Sequence, residues 1–127
     1  MNTVTMDGRL FTRMIRCGSE SLRRNRTIVN ELNVFPIPDG DTGDNMYMTV
    51  KAGCDRLECR EEIGIEQAAA AIAHGMLLGA RGNSGVILSR IFAGIADGLA
   101  GNETSDVQLL CRAFESGVKK AYGAVSA

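Results

Sequence analysis

The chain has 127 residues, of which 45% are hydrophobic and 23% charged, and its formal net charge is −1. This length and balance are typical of one globular domain, here taken as residues 1–127, and argue against a disordered chain. The near-neutral charge gives no field that would recruit nucleic acid, and no apolar stretch approaches the roughly 20 residues of a membrane span. The short basic run "RRNR", Arg23 to Arg26, is interpreted as a solvated helix face.

Apolar residues recur at helical spacing along almost the whole chain, so the sequence predicts an all-α domain. We expect an antiparallel bundle or barrel of about five helices joined by short loops. Asp7 lies near the start of the first helix, and Ser105 with Gln108 has capping-box spacing before the fifth. The predicted core stripes contain, in chain order, Leu10, Met14, Cys17, Ser21 and Ile28; Met46, Val50, Gly53, Cys54 and Leu57; Ile65, Ala69, Ile72, Met76 and Ala80; Leu88, Ile91, Phe92, Ile95 and Leu99; and Val107, Leu110, Cys111, Phe114, Val118, Tyr122 and Val125.

The four cysteines, Cys17, Cys54, Cys59 and Cys111, form no CxxC pair, so a structural zinc site is not expected. At helical core spacing they are predicted to behave as small hydrophobic residues, in a reducing, cytoplasmic compartment. The single histidine, His74, lies in an alanine-rich helix and is predicted to be packed or half-buried.

The stretch "NVFPIPDGDTGDNM", Asn33 to Met46, holds both prolines of the chain and three carboxylates. Its prolines favour an extended connector. Asp39 and Asp41 flank Gly40, so both carboxylates could converge on one hard cation such as Mg²⁺. The spacing does not fit an EF-hand. The alternative is a plain turn in which Asp41 or Thr42 caps the next helix, and Asp44 lies where the helix dipole alone would favour an acid.

A second loop, "LLGARGNSGVILSR", carries glycines at every third position: Gly79, Gly82 and Gly85. Asn83 and Ser84 directly precede an apolar helix, whose free N–H groups and dipole would suit a phosphate. The loop lacks the lysine of a Walker motif, and no strand precedes it as in a dinucleotide fingerprint. Arg81 is a candidate charge partner. The alternative is a tight helix–helix turn in which the glycines allow close packing.

Together, "LNVFPIPDGDTGDNM" and "GARGNSGVILSRIFAG" resemble the nucleotide-binding (DhaL-like) domain of the dihydroxyacetone kinase group. Within that group, the two motifs are most similar to the N-terminal domain of the ATP-binding subunit of bacterial fatty acid kinase. The resemblance implies an all-α barrel of antiparallel helices with ATP or ADP at one end. It also implies two Mg²⁺ ions that acidic residues hold and that bridge the phosphates.

Carried onto this chain, the resemblance assigns Asp39 and Asp41 as metal ligands. Asn33 falls near a further family aspartate, and Asp44 adds a third acid where the family has a small uncharged residue, so both are further candidate metal ligands. Asn45 matches the family asparagine just inside the helix. The residues that match the phosphate loop are Gly82, Asn83, Ser84 and Gly85.

The family domain continues beyond the point where this sequence ends, so the resemblance covers about two-thirds of that domain, and a truncated form is expected. Function follows as two hypotheses. The first is a kinase module that passes the γ-phosphoryl of ATP to dihydroxyacetone or a fatty acid held by a partner protein. The second is a non-catalytic helical interaction module. We also expect the chain, by itself, either to self-associate or to fold only loosely, and to show no kinase turnover without its partner.

Overall fold

A computed structural model describes residues 4–33, 40–57 and 63–125, with the side chains of the last two positions excepted. The described residues form five α-helices and no strand, which confirms the all-α prediction. None of these helices is long and apolar enough to cross a membrane. The predicted extended connector over residues 34–38, Asp39 and Cys59 lie outside the described residues. The helices are α1 (Gly8–Leu32), α2 (Thr42–Cys54), α3 (Ile65–Gly79), α4 (Gly82–Leu99) and α5 (Val107–Val125).

The short helix α2 lies at the centre of the arrangement, where it packs against α1, α3 and α4. The core forms around the middle of the chain, with Ile65, Ile72 and Met76 of α3 fully buried. Ile95 and Leu99 of α4 join them from the other side. The predicted stripes of α3 and α4 are therefore confirmed in their large apolar members, because these residues face the centre of the bundle.

Helix α1 starts where the sequence predicted, since the Asp7 carboxylate accepts a hydrogen bond of 2.8 Å from the N–H of Leu10. The predicted buried stripe was wrong by about one position. Leu10 and Ile28 are largely exposed, and the buried face instead carries Phe11 and Ile15. Cys17 and Ser21, also placed in the core by the spacing, are exposed. The long helix has apolar residues on more than one face, so the pattern alone did not select the buried one.

The basic run on α1 is exposed, as predicted, and two of its arginines share one acid. Arg23 Nη2 lies 2.6 Å and Arg24 Nε 3.5 Å from Glu20 Oε1. The hydrogen bond from Arg23 lowers the pKa of the Glu20 carboxyl to about 2. Such solvent-exposed pairs contribute little to stability, so this face is a solvated surface.

The cysteine and histidine predictions were wrong for three residues. Cys17 and Cys111 are exposed, and His74 is exposed on α3 instead of packed. Cys54 is partly buried and packs against the core, where burial raises the pKa of its thiol. A small residue at helical spacing is therefore not by itself a sign of the core in this chain.

Helix α5 packs against α4 and against no other described helix. Its buried face carries small residues: Ala113 is fully buried and Gly117 lies against Ile91 of α4. A Cβ added at Gly94 would come within 2.5 Å of the Gly117 Cα, so the two backbones are in direct contact. The interface is thus built on the residues that allow close approach, and not on the largest apolar ones.

The predicted core stripe of α5 consequently faces solvent. Val107, Phe114, Val118 and Tyr122 are between 43% and 71% exposed. Together with the partly buried Leu110 they form an apolar face, flanked by Glu115 and Lys119. The start of the helix also differs from the prediction, because Asp106 and not Ser105 caps it: the Asp106 carboxylate accepts from the N–H of Leu109 at 2.8 Å. Ser105 is instead buried in an antiparallel bridge with Met6.

This apolar face generates a prediction about association. Contiguous exposed apolar surface of this kind is typical of contact surfaces, so we expect the isolated chain to self-associate through α5. Light scattering should give a solution mass above 13.6 kDa. The double substitution Phe114→Ser and Val118→Ser should return it to the monomer. The control Ile28→Ser removes an exposed apolar side chain from α1 and should leave the mass of the parent unchanged. A parent that is monomeric at high concentration would contradict the prediction.

Candidate nucleotide and metal site

The start of α2 is held by a residue of α1. The Asn30 side-chain oxygen accepts hydrogen bonds from the backbone N–H groups of Gly43 at 2.7 Å and Asp44 at 3.1 Å. Asp41 occupies the N-cap position, but its side chain makes no capping hydrogen bond. Thr42 makes no such bond within the described residues either. The interpretation of Asp41 or Thr42 as a simple helix cap is therefore wrong, and the exposed Asp41 carboxylate has no structural partner in the described chain.

The four predicted metal ligands have different environments, and Asp39 lies outside the described residues. Asn33 ends α1, where its side-chain amide donates to the carbonyl of Val29 at 2.7 Å. Asp44 lies in the first turn of α2 with its carboxylate 4.0 Å from the Arg26 guanidinium. Among the described residues no group of three acidic, cysteine or histidine side chains is close enough to hold a metal ion. Asp41 is thus the most available carboxylate of the described loop.

The three glycines of the second loop all face α2. A Cβ at Gly79 would meet Ala52, one at Gly82 would meet the Asn45 amide, and one at Gly85 would meet the Thr49 hydroxyl. Gly82 also has a φ of +67°, a left-handed conformation that side chains rarely adopt. The glycines therefore serve close packing, as the alternative interpretation predicted. This role is compatible with a phosphate site, because the same packing positions the start of α4.

A buried threonine ties the two loops together. Thr49 is fully buried on α2, and its hydroxyl donates to the Asn45 carbonyl at 2.7 Å. The same hydroxyl oxygen accepts from the N–H of Arg81 at 3.1 Å. Sequence reasoning missed Thr49, because a threonine within a helix carries no signal of contact across 32 residues. The hydroxyl fixes the loop before α4 relative to the middle of α2.

The N-termini of α2 and α4 consequently lie side by side. The Ser84 hydroxyl is 3.4 Å from the carbonyl of Thr42, and Gly82 contacts the Asn45 side chain. The N–H groups of Gly82, Asn83 and Ser84 have no acceptor among the described residues, whereas the next N–H, of Gly85, bonds to the Arg81 carbonyl at 3.2 Å. Free N–H groups and the positive ends of two helix dipoles are therefore concentrated at one edge of the bundle.

This arrangement brings most of the predicted site residues together. Asp41, Asn45 and the four residues 82–85 lie on the adjacent starts of the two helices. Asn33 makes no described contact with these residues, since its only described side-chain hydrogen bond is to the Val29 carbonyl of α1. Two residues that sequence reasoning did not select, Asn30 and Arg26, contact the start of α2. Only a long-range contact signal could have found them.

The chain is thus an all-α domain in which an acidic loop and a glycine-rich loop lead into two neighbouring helices. Comparison with known proteins gives its family. The family model of the DAK2 domain matches residues 36–127. The chain therefore belongs to the DAK2 domain family, which is related to the dihydroxyacetone kinases and is a nucleotide-binding family.

Similar curated proteins extend the comparison to the whole chain. An uncharacterized protein of Staphylococcus epidermidis is 42% identical over 120 residues, which are 94% of this chain and 22% of the relative. Protein YloV of Bacillus subtilis is 41% identical over 125 residues, 98% of this chain and 23% of its own length. An uncharacterized protein of Staphylococcus aureus is 41% identical over 120 residues, 94% of this chain and 22% of that protein. The chain thus spans about a fifth of the length of the curated relatives that it matches.

The contact between the loops generates a stability prediction. Gly85→Ala should destabilise the fold by about 1–3 kcal/mol, because the new Cβ would meet a hydroxyl that cannot move without losing two hydrogen bonds. Urea unfolding followed by circular dichroism measures the change. Gly18→Ala is the control: nothing lies within 4 Å of a Cβ there, so this helix-interior change should stabilise by about 0.5–1 kcal/mol. If Gly85→Ala unfolded at the urea concentration of the parent, the contact with Thr49 would not constrain the loop.

Proposed function

We propose that this chain binds ATP or ADP together with Mg²⁺ at the adjacent N-termini of α2 and α4. The observation that carries the proposal is that the Asp41 carboxylate, which makes no capping hydrogen bond, lies at the start of the helix beside the free N–H groups of residues 82–84. A carboxylate and a phosphate cradle side by side are what a nucleotide bridged to protein by Mg²⁺ requires. Membership of a nucleotide-binding family supports the same assignment.

In this proposal the residues divide into metal and phosphate ligands. Asp41 and Asp39 hold the cation or cations, which the resemblance gives as two Mg²⁺. Mg²⁺ characteristically takes one or two carboxylates and completes its shell with water and substrate phosphates, so the donor set fits without a cluster of three acids. Asn33 and Asp44 are proposed as further ligands, and Asp44 also faces Arg26.

The phosphates are proposed to meet the start of α4. The residues concerned are Gly82, Asn83, Ser84 and Gly85, and Asn45 lies against the first of them. Ser84 is half-buried between the two helices, and Asn83 is exposed. Arg81 is exposed and has no ion-pair partner in the described part of the chain, so its guanidinium is available to a phosphate.

The proposed activity is phosphoryl transfer to an acceptor held by a partner protein. The bond between the γ-phosphorus and the β,γ-bridging oxygen of ATP would break, ADP would leave with that oxygen, and a new bond would form from the γ-phosphorus to an oxygen of the acceptor. A fatty acyl carboxylate brings no proton to this step, whereas a dihydroxyacetone hydroxyl would release its proton to solvent. The chain's own contribution would be to position the phosphates and to hold the cation that neutralises their charge. No side chain of the site is assigned as a nucleophile. Family membership supports the class of reaction, and the choice of acceptor follows from the resemblance alone.

A non-catalytic interaction module is the second candidate. The exposed apolar face of α5 favours it, and so does the finding that all three loop glycines pack against α2. In that case the two loops would be structural and nucleotide would have no effect on stability.

Nucleotide binding is tested by thermal unfolding with ADP, with and without Mg²⁺. A ligand present at 100 times its dissociation constant stabilises the fold by about 2.7 kcal/mol, so a clear Mg²⁺-dependent rise in melting temperature is expected. Asp41→Ala and Asp39→Ala should each abolish the Mg²⁺-dependent part. Asp97→Ala removes an exposed acid paired with Lys120 far from the loops and should leave it intact. Absence of any Mg²⁺-dependent rise in the parent would favour the interaction module.

Turnover provides a separate test of where the activity resides. We expect the chain by itself to bind ADP·Mg²⁺ but to show no phosphoryl transfer to dihydroxyacetone or fatty acid, because the acceptor is proposed to be held by another protein. A coupled ADP-release assay measures this, and addition of a fatty-acid-binding or dihydroxyacetone-binding subunit should be required for signal. Turnover by the isolated chain would contradict the division of labour between two proteins.

A further inference from the structure

Asn30 holds the two backbone donors that a helix N-cap normally takes. In a capped helix the side chain of the N-cap residue accepts from the N–H of the second or third helical residue. In α2 these residues are Gly43 and Asp44, and both donate to the Asn30 side-chain oxygen, at 2.7 and 3.1 Å. The cap is therefore supplied from α1, thirteen and fourteen positions earlier in the chain.

The reach of Asn30 depends on how closely α1 and α2 approach. Gly43 is buried, and a Cβ there would collide with the Arg26 backbone. The Arg26 side chain extends along the same contact, with its guanidinium carbon 5.6 Å from the centre of the Tyr47 ring. Because Gly43 has no side chain, the helices come close enough for an asparagine one turn after Arg26 to reach the start of α2.

Because Asn30 supplies the cap, Asp41 does not have to. It holds the N-cap position with φ −127° and ψ 7°, outside the extended region that capping residues usually adopt, and its carboxylate makes no capping bond. In a standard cap it is the side chain of the N-cap residue, here Asp41, that takes these N–H groups, so Asp41 would be expected to take them if Asn30 did not. One carboxylate oxygen would then be directed toward the helix.

We infer that Asn30 is a positioning residue of the proposed nucleotide site: it caps α2 from α1, so that Asp41 remains available for the cation. The inference rests on the proposed function. Asn30 acts through α2 and touches neither cation nor nucleotide. Loss of the Asn30 oxygen leaves the fold in place but sets the cation in competition with helix capping for Asp41.

A stability cycle in metal-free buffer tests the cap without any ligand. In the parent, Asp41→Ala should change the melting temperature little, because Asp41 caps nothing. In an Asn30→Ala background, the same substitution should lower it by about 4 °C more, since Asp41 has then become the cap. An equal effect of Asp41→Ala in both backgrounds would overturn the inference.

The second test measures ADP affinity by calorimetry under two conditions, at a fixed Mg²⁺ concentration and in the presence of a chelator. Asn30→Ala should weaken Mg²⁺-dependent ADP binding about fivefold, the factor that corresponds to the stabilisation by a typical cap. ADP binding in chelator should not change. If both conditions weakened equally, Asn30 would have a general structural role, and the inference would be wrong.

Two variants complete the design. Asn30→Asp keeps an acceptor oxygen of the same reach and should restore both the melting behaviour and the Mg²⁺-dependent affinity. Asn25→Ala removes an exposed asparagine of the same helix whose amide donates to the Ser21 carbonyl, and should change neither. If the parent showed no Mg²⁺-dependent ADP binding, the proposed function would be wrong, and so would the inference that the Asn30 cap keeps Asp41 available for a cation. The stability cycle would still decide separately whether Asn30 is the cap.

Discussion

Helix α2 packs closely against three other helices, with a glycine at each contact, and the rest of the structure depends on these contacts. Gly43 lies against the backbone of Arg26 in α1, and a Cβ at Gly75 of α3 would come within 2.9 Å of the Gly53 Cα. On the third side, Gly85 of α4 lies against a buried hydroxyl of α2. A side chain at any of these positions would separate the helices. Because packed interiors do not deform continuously, such a separation would also displace the loops at the helix ends.

Close packing brings polar side chains of one helix within reach of the backbone of the next, and this chain uses two such contacts to position its loops. Thr49 joins the middle of α2 to the loop before α4, and Asn30 joins the end of α1 to the start of α2. Each contact satisfies a backbone donor that would otherwise be without a partner, as buried or half-buried helix ends require. The same two contacts set the relative position of the acidic and glycine-rich loops. The contacts that pack α2 against its neighbours therefore also fix the geometry of the candidate site.

Sequence reasoning predicted the fold class, the five helices and the two loops, because helical periodicity and clustered breakers are local signals. It identified the buried faces of α3 and α4 but failed on those of α1 and α5. On α5 the large apolar stripe, including Phe114 and Val118, faces solvent, while Ala113 and Gly117 form the contact with α4. Hydrophobic patterns favour large side chains, whereas close helix packing selects small ones. When both faces exist on one helix, periodicity cannot choose between them, because that choice is made by the neighbouring helix.

In the candidate site, too, local sequence signals were sufficient to find the loops but not the contacts made by a neighbouring helix. Acid spacing and glycine spacing located the loops, and the helix dipole already offered a separate reason for Asp44, but the sequence could not say what either carboxylate contacts. The structure separates them through α1: Arg26 faces the Asp44 carboxylate, whereas Asn30 occupies the N–H groups that Asp41 would otherwise cap. Asp44 lies 4.0 Å from a cation of the protein, and Asp41 is left without a partner in the described chain. Two identical side chains three positions apart thus have different surroundings because of one helix turn of α1, and of the two carboxylates it is Asp41 that has no partner in the described chain.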